Sequence, residues 1–131
     1  MTQKKVTAEL KKIETASKKG FVLEALLANY HLNVDLLKLI YTRSGLSEST
    51  DGKKVKAVIN ELSAEIDKNT KLKTVISKKN LKVVKVWASK MDAFFKALKH
   101  KHPENTKSLF TESQKIFAVL NISAHKIFIQ K

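Results

Sequence analysis

Ten lysines fall between residues 71 and 101, against a single acid, Asp92. Ammonium groups at that density suit one kind of chemistry, contact with the oxygens of phosphate. Such contact positions a nucleic acid without reading its sequence. The candidate contact residues are Lys79, Lys82, Lys85, Lys90, Lys96, Lys99 and Lys101. On a helix, Lys82, Lys85, Lys96 and Lys99 share one line, interrupted by Ser89 and Asp92. Lys79, Lys90 and Lys101 form a second line at spacings of eleven. The lines are about a third of a turn apart, since each residue advances a helix by roughly 100°. Lysines converging on one concave face would serve nucleic acid; lysines spread all round would serve solubility alone. The spacing by itself leaves this choice open.

Other residue types offer less. His31 and Asp35 are four apart on a helical stretch, a workable histidine–carboxylate spacing that is also common in purely structural pairs. His100 and His102 are two apart, so on a helix they diverge by roughly 200° and make a poor metal pair. His125 stands alone, and there are no cysteines, so no disulfide or zinc-thiolate site is available. No phosphate-cradling glycine loop, zinc-protease motif or nucleophile elbow is present. The expectation is a protein that is not an enzyme and needs no metal or cofactor. Trp87, Phe94 and Phe95 lie among the lysines, where aromatic rings can stack on bases. They also fall on the apolar stripe of their helix, which assigns them to the core.

The elements that must position these residues are helices. Residues 21–41, FVLEALLANYHLNVDLLKLIY, are the most apolar stretch of the chain. Leu23, Leu26, Leu27, Tyr30, Val34, Leu37, Ile40 and Tyr41 recur at helical spacing, and Val22, Ala25, Leu32, Leu36 and Leu39 widen the stripe. Only Glu24, His31, Asp35 and Lys38 leave a polar edge. A helix apolar on nearly every side has to be covered by others, so it is expected at the centre of a bundle. It is long enough to span a bilayer, but an ionised side chain at mid-membrane costs about 2.5 to 3.5 kcal/mol, and here there are three. A membrane span is therefore rejected. The opening MTQKKVTAELKK has no apolar run after its lysines, so no secretory signal is expected.

The remaining helices are read around this one. Val6, Leu10, Ile13 and Ala16 predict a first helix over about 3–18, closed at Lys18-Lys19-Gly20. Ser44 to Gly52 reads as a loop, with Asp51 as a cap for a helix over about 53–68 whose inward residues are Val55, Val58, Ile59, Leu62 and Ile66. Leu72, Val75 and Ile76 predict a short helical turn. Asn80 is the expected cap of a helix over about 81–100, with Leu81, Val84, Trp87, Met91, Phe94, Phe95 and Leu98 inward. Pro103 ends it. The last helix, about 105–129, buries Phe110, Ile116, Phe117, Leu120, Ile127 and Phe128.

With three glycines, one proline and no alternating apolar–polar runs, the class is all-α. The 131 residues make a single domain of five or six helices around 21–41, burying about two thirds of the unfolded surface. The net charge of +14 is unevenly placed: 12 basic against 9 acidic residues in 1–70, a net +3, and 14 against 3 in 71–131, a net +11. Such a field attracts polyanions. All but one of the 26 basic residues are lysine, which also solubilises helix surfaces without contacting anything. Absence of cysteine points to the cytoplasm.

The segment GFVLEALLANYHLNVDLLKLIYTRSG resembles an early helix of the HEPN-type bundles, small four- to six-helix domains of prokaryotic defence and toxin–antitoxin systems. In those families a tryptophan tends to precede an Arg-Asn-x-x-x-His ribonuclease motif on a later helix. Here Trp87 precedes Lys90-Met91-Asp92-Ala93-Phe94-Phe95-Lys96, and Met91, Asp92 and Lys96 stand where arginine, asparagine and histidine would be. None of the three matches, so no catalytic role carries over. Arg43, the one arginine, has no histidine four to seven residues after it. The resemblance covers about 90 residues in pattern and implies a dimeric, non-catalytic relative. Two other functional expectations rest on the charge pattern itself: a basic module whose lysines contact nucleic-acid phosphates, and a protein-interaction or homodimerisation module whose basic face meets an acidic partner. An exposed apolar patch of more than a few hundred Å² would favour the second.

Overall fold

The computed structural model describes residues 2–46, 50, 52–100 and 104–129, with the backbone alone at 128 and 129. The described chain is all-α, with six helices: α1 (Gln3–Lys18), α2 (Val22–Arg43), α3 (Val55–Glu65), α4 (Thr70–Val75), α5 (Lys78–Leu98) and α6 (Thr106–Ile129). No described residue lies in a strand. No helix among the described residues is long and apolar enough to cross a membrane. The expected caps at Asp51, the stop at Pro103 and the inward side chain of Phe128 lie outside what is described.

Local chemistry sets the helix ends. Thr2, Asn69 and Ser77 each accept a hydrogen bond from the backbone N–H three residues on, and so open α1, α4 and α5. Asn80, expected as the cap of α5, is instead the residue whose N–H Ser77 receives, at 3.1 Å. The helix begins one turn earlier because serine's short side chain reaches back from an extended backbone, with φ −85° and ψ 156°. The α1–α2 corner is closed by Gly20 at φ +82°. Its N–H bonds to the Ser17 carbonyl at 3.0 Å, and that of Phe21 to Ala16 at 2.9 Å. This reversal requires a left-handed residue, which only glycine takes without penalty.

Helix α2 is the centre of the core. It packs most extensively on α6, then on α1 and α3. Leu26, Leu36, Leu37, Ile40 and Tyr41 are buried, and they join Ile59 and Leu62 of α3, Leu81 and Trp87 of α5, and Leu120 and Ala124 of α6. The stripe that faces inward is rotated by roughly a quarter turn from the expected one. Ala25, Leu32 and Leu36 are on the buried side, whereas Leu23, Leu27, Tyr30 and Val34 are only half-buried. The rotation also buries Asn29 and Asn33, which are 1% and 0% exposed.

That polar insertion has a partial match on α6. The Asn33 amide donates to the Ser113 carbonyl at 3.0 Å, and the Trp87 indole N–H donates to the Ser113 hydroxyl at 2.8 Å. Ser113 therefore ties α2, α5 and α6 to one level. The side-chain oxygens of Asn29 and Asn33 are buried with no hydrogen-bond partner among the described residues.

Candidate nucleic-acid interface

The apolar stripe of α5 turns its lysines outward. Leu81, Val84, Trp87, Met91 and Phe94 are buried, Phe95 and Leu98 are half-buried, and Lys79, Lys82, Lys85, Lys90, Lys96 and Lys99 are all exposed. Lys101 lies outside the described residues. The two lines go to different sides of α5. Lys90, on the second line, pairs with Glu112 of α6 at 3.0 Å. Lys96, on the first, pairs with Asp92 at 3.4 Å, and the same Asp92 oxygen lies 3.9 Å from Lys56 of α3. So Lys96 of the first line lies toward α3 and Lys90 of the second toward α6. Lys79, Lys82, Lys85 and Lys99 have no ion-pair partner among the described residues. The second line also carries Val83 and Val86, which are 46% and 53% exposed between Lys79 and Lys90.

His31 and Asp35 are both exposed on α2, and no hydrogen bond or ion pair joins them. The His31 ring stacks on Tyr30 instead, with centroids 5.5 Å apart and planes 2° from parallel. Asp35 lines a shallow cleft with Lys5 and Lys38. His100 is exposed and His102 lies outside the described residues. Among the described residues no three His, Cys, Asp or Glu side chains gather as a metal site would need.

Where the first lysine line meets α3, the three helices α2, α3 and α5 enclose a cleft of about 540 Å³. Its lining is Tyr30, Lys53, Lys54, Val55, Lys56, Ala88, Asp92 and Lys96: four ammonium groups against one carboxylate, over an apolar floor. The floor is anchored by the Tyr30 ring, which stacks on Phe95 at 4.8 Å and meets Trp87 edge-on at 5.6 Å. Partial burial and then the charge of Asp92 hold the Tyr30 hydroxyl above its usual pKa, so it stays protonated as a donor. Lys53 donates to both oxygens of Glu61 at 2.8 Å and lies 5.4 Å from the Tyr41 ring centre. That hydrogen bond raises the Lys53 pKa and lowers that of Glu61, so both stay charged.

The α3 side of this cleft is not among the residues expected from the sequence, although a signal was present. Lys53, Lys54 and Lys56 crowd the start of α3, which has no acid in its first turn and no side-chain cap among the described residues. Cations at a helix N-terminus oppose the helix dipole, so these three are placed against local preference. First-turn N–H groups of a helix and ammonium groups both favour an anion.

Two other clefts differ in charge. The one at the adjoining N-terminal ends of α2 and α6, about 690 Å³, sets Glu24 and Glu104 against Lys107 alone. The groove of about 510 Å³ along α1 carries Lys11, Lys12 and Lys19 with Glu24 and the exposed ring of Phe21.

No protein-family model, curated protein or solved structure matches this chain.

Proposed function

We propose that this protein is a non-catalytic, cytoplasmic helical bundle that binds nucleic acid through lysine–phosphate contacts. The interface is the lysine line of α5, Lys82, Lys85, Lys96 and Lys99, joined through Lys96 to Lys54 and Lys56 at the start of α3. One observation carries the reading: Lys53, Lys54 and Lys56 at the start of α3 meet Lys96 of α5 at a single cleft whose lining holds one acid, and Lys82, Lys85 and Lys99 extend the basic surface along α5 from there. A coat needed only for solubility gains nothing by concentrating like charges, which repel one another. Lys79 and Lys90, on the other side of α5, add to the field that draws the polyanion in.

Such contacts work by releasing counterions from the nucleic acid, and they tolerate any sequence. Eight neutralised phosphates would give a slope of log affinity against log salt near −7, at about −0.9 per contact. The test is fluorescence anisotropy of labelled RNA and DNA oligomers from about 50 to 200 mM salt, where affinity should fall by about a thousandfold or more. No binding at the low end, or binding indifferent to salt, overturns the reading.

The second reading is an interaction module: a basic face for an acidic protein, or a homodimer of the kind the HEPN resemblance implies. Val83 and Val86 are exposed on α5, but two half-exposed valines are smaller than the patch of a few hundred Å² that would favour it. A net charge of +14 works against self-association, since two copies would bring like fields together. Sedimentation equilibrium at low and high salt separates the two readings.

A further inference from the structure

Asp92 is the only acid among the ten lysines of residues 71–101, and it sits at the meeting point of α3 and α5. A single one of its oxygens, Oδ2, is shared by Lys56 at 3.9 Å and Lys96 at 3.4 Å. Both lysines remain well exposed, at 59% and 77% of their side-chain surface, and Asp92 is 49% exposed. The carboxylate therefore occupies, with one charge and loose geometry, a place where two ammonium groups already converge. Lys54 stands beside them with no acidic partner among the described residues. Val55 and Lys56, in the first turn of α3, line the same cleft, and that turn has no side-chain cap among the described residues. The Tyr30 hydroxyl lies on its floor side, close enough to Asp92 to feel its charge.

We propose that a phosphate group of the bound nucleic acid docks in the α2–α3–α5 cleft by displacing Asp92 from Lys56 and Lys96. Asp92 is then an internal competitor: it holds the two lysines in place in the free protein and weakens binding by the cost of its own release. This inference rests on the nucleic-acid reading above and names the point at which that interface grips. The phosphate is either a diester of the strand or a monoester at its end. A monoester brings about −1.5 to −2 charges and three acceptor oxygens, against the single charge of the carboxylate it replaces.

The signature is a gain of affinity on removing a charge. Asp92→Asn keeps the shape and frees both lysines, so it should tighten oligonucleotide binding about two- to fivefold, the size expected for an exposed ion pair. Glu14→Gln on α1 makes the same change in net charge away from the cleft and controls for the global field. Lys56→Gln with Lys96→Gln should weaken binding more than Lys11→Gln with Lys12→Gln, which removes equal charge from α1. Circular dichroism checks that each variant folds, as the exposure of these side chains leads one to expect. Amide shifts in the ¹⁵N-labelled full chain should move at Val55, Lys56, Ala88 and Asp92 when an oligonucleotide is added.

If Asp92→Asn binds no tighter than Glu14→Gln, the proposal fails while the nucleic-acid reading stands. If the wild-type chain binds no oligonucleotide at about 50 mM salt, that reading fails. Inorganic pyrophosphate, titrated into the labelled chain, then decides the cleft: shifts confined to those four residues keep the phosphate site, and their absence overturns it. Oligomers with and without a 5′-phosphate identify the source, since a preference for the phosphorylated end assigns a monoester and equal affinity assigns the strand diester.

Discussion

Asn29 and Asn33 present the same side chain, one helical turn apart, in the same core, but only Asn33 has a hydrogen-bond partner among the described residues. The Asn33 amide donates to the Ser113 carbonyl at 3.0 Å, whereas the amide of Asn29 has no hydrogen bond among the described residues. Both side-chain oxygens are buried and unpaired. A buried polar atom without a partner costs about 1 to 3 kcal/mol, and a hydrogen bond made contributes about 0.5 to 1.5 kcal/mol. Truncating each to alanine removes the same atoms, so the difference between the two variants isolates the bond. Asn33→Ala should lower unfolding stability by about 1 kcal/mol more than Asn29→Ala in urea titrations. Equal losses would mean that the Asn33–Ser113 bond adds nothing. Trp87 belongs to this scale too. Its burial and its hydrogen bond to the Ser113 hydroxyl at 2.8 Å make it a core residue, as its place on the apolar stripe of α5 predicts.

Among the elements, α2 decides whether the bundle exists. Its ten buried residues contact helices from both ends of the sequence, so its stability is tertiary rather than local. Leu37 is 1% exposed at its middle. Leu37→Ala should cost about 2 to 5 kcal/mol in urea or thermal unfolding, the range for a leucine whose cavity cannot collapse. A loss below about half a kcal/mol would remove α2 from the centre. The element-level reading of the chain was largely legible. All six helices lie near their expected spans, because apolar periodicity and glycine stops are local signals. What periodicity misjudged was rotation. Leu, Val and Tyr on one side of α2 outweighed the side carrying Asn29 and Asn33, yet the neighbours of α2 cover the latter. A helix apolar almost all round has no strong moment to fix which face is deepest.

At the scale of the molecule, charge placement is the functional variable. The structure divides the lysines of α5 between two sides, one toward α3 and the other toward Glu112 of α6. Replacing Lys82, Lys85, Lys96 and Lys99 together by glutamate changes the net charge by −8, from +14 to +6. The fold should persist, because all four side chains are exposed and none packs in the core. Nucleic-acid binding should disappear in the anisotropy assay. A variant that unfolds, or one that binds unchanged, would rule out this edge as the interface. Residual binding that still falls with salt would instead assign a share to Lys54 and Lys56.

The sequence by itself determined the all-α class, the approximate spans of the helices, five or six in number, and the uneven placement of charge, since each follows from composition or from spacing along one element. It also marked Asp92 as the lone acid in a basic run, without a role for it. Only the tertiary structure placed Asp92 between Lys56 and Lys96, and only it joined the start of α3 to the edge of α5. The physical reason is distance along the chain. Lys56 and Asp92 are separated by most of α3, all of α4 and much of α5, so no local periodicity relates them; packing of α3 against α5 brings them together.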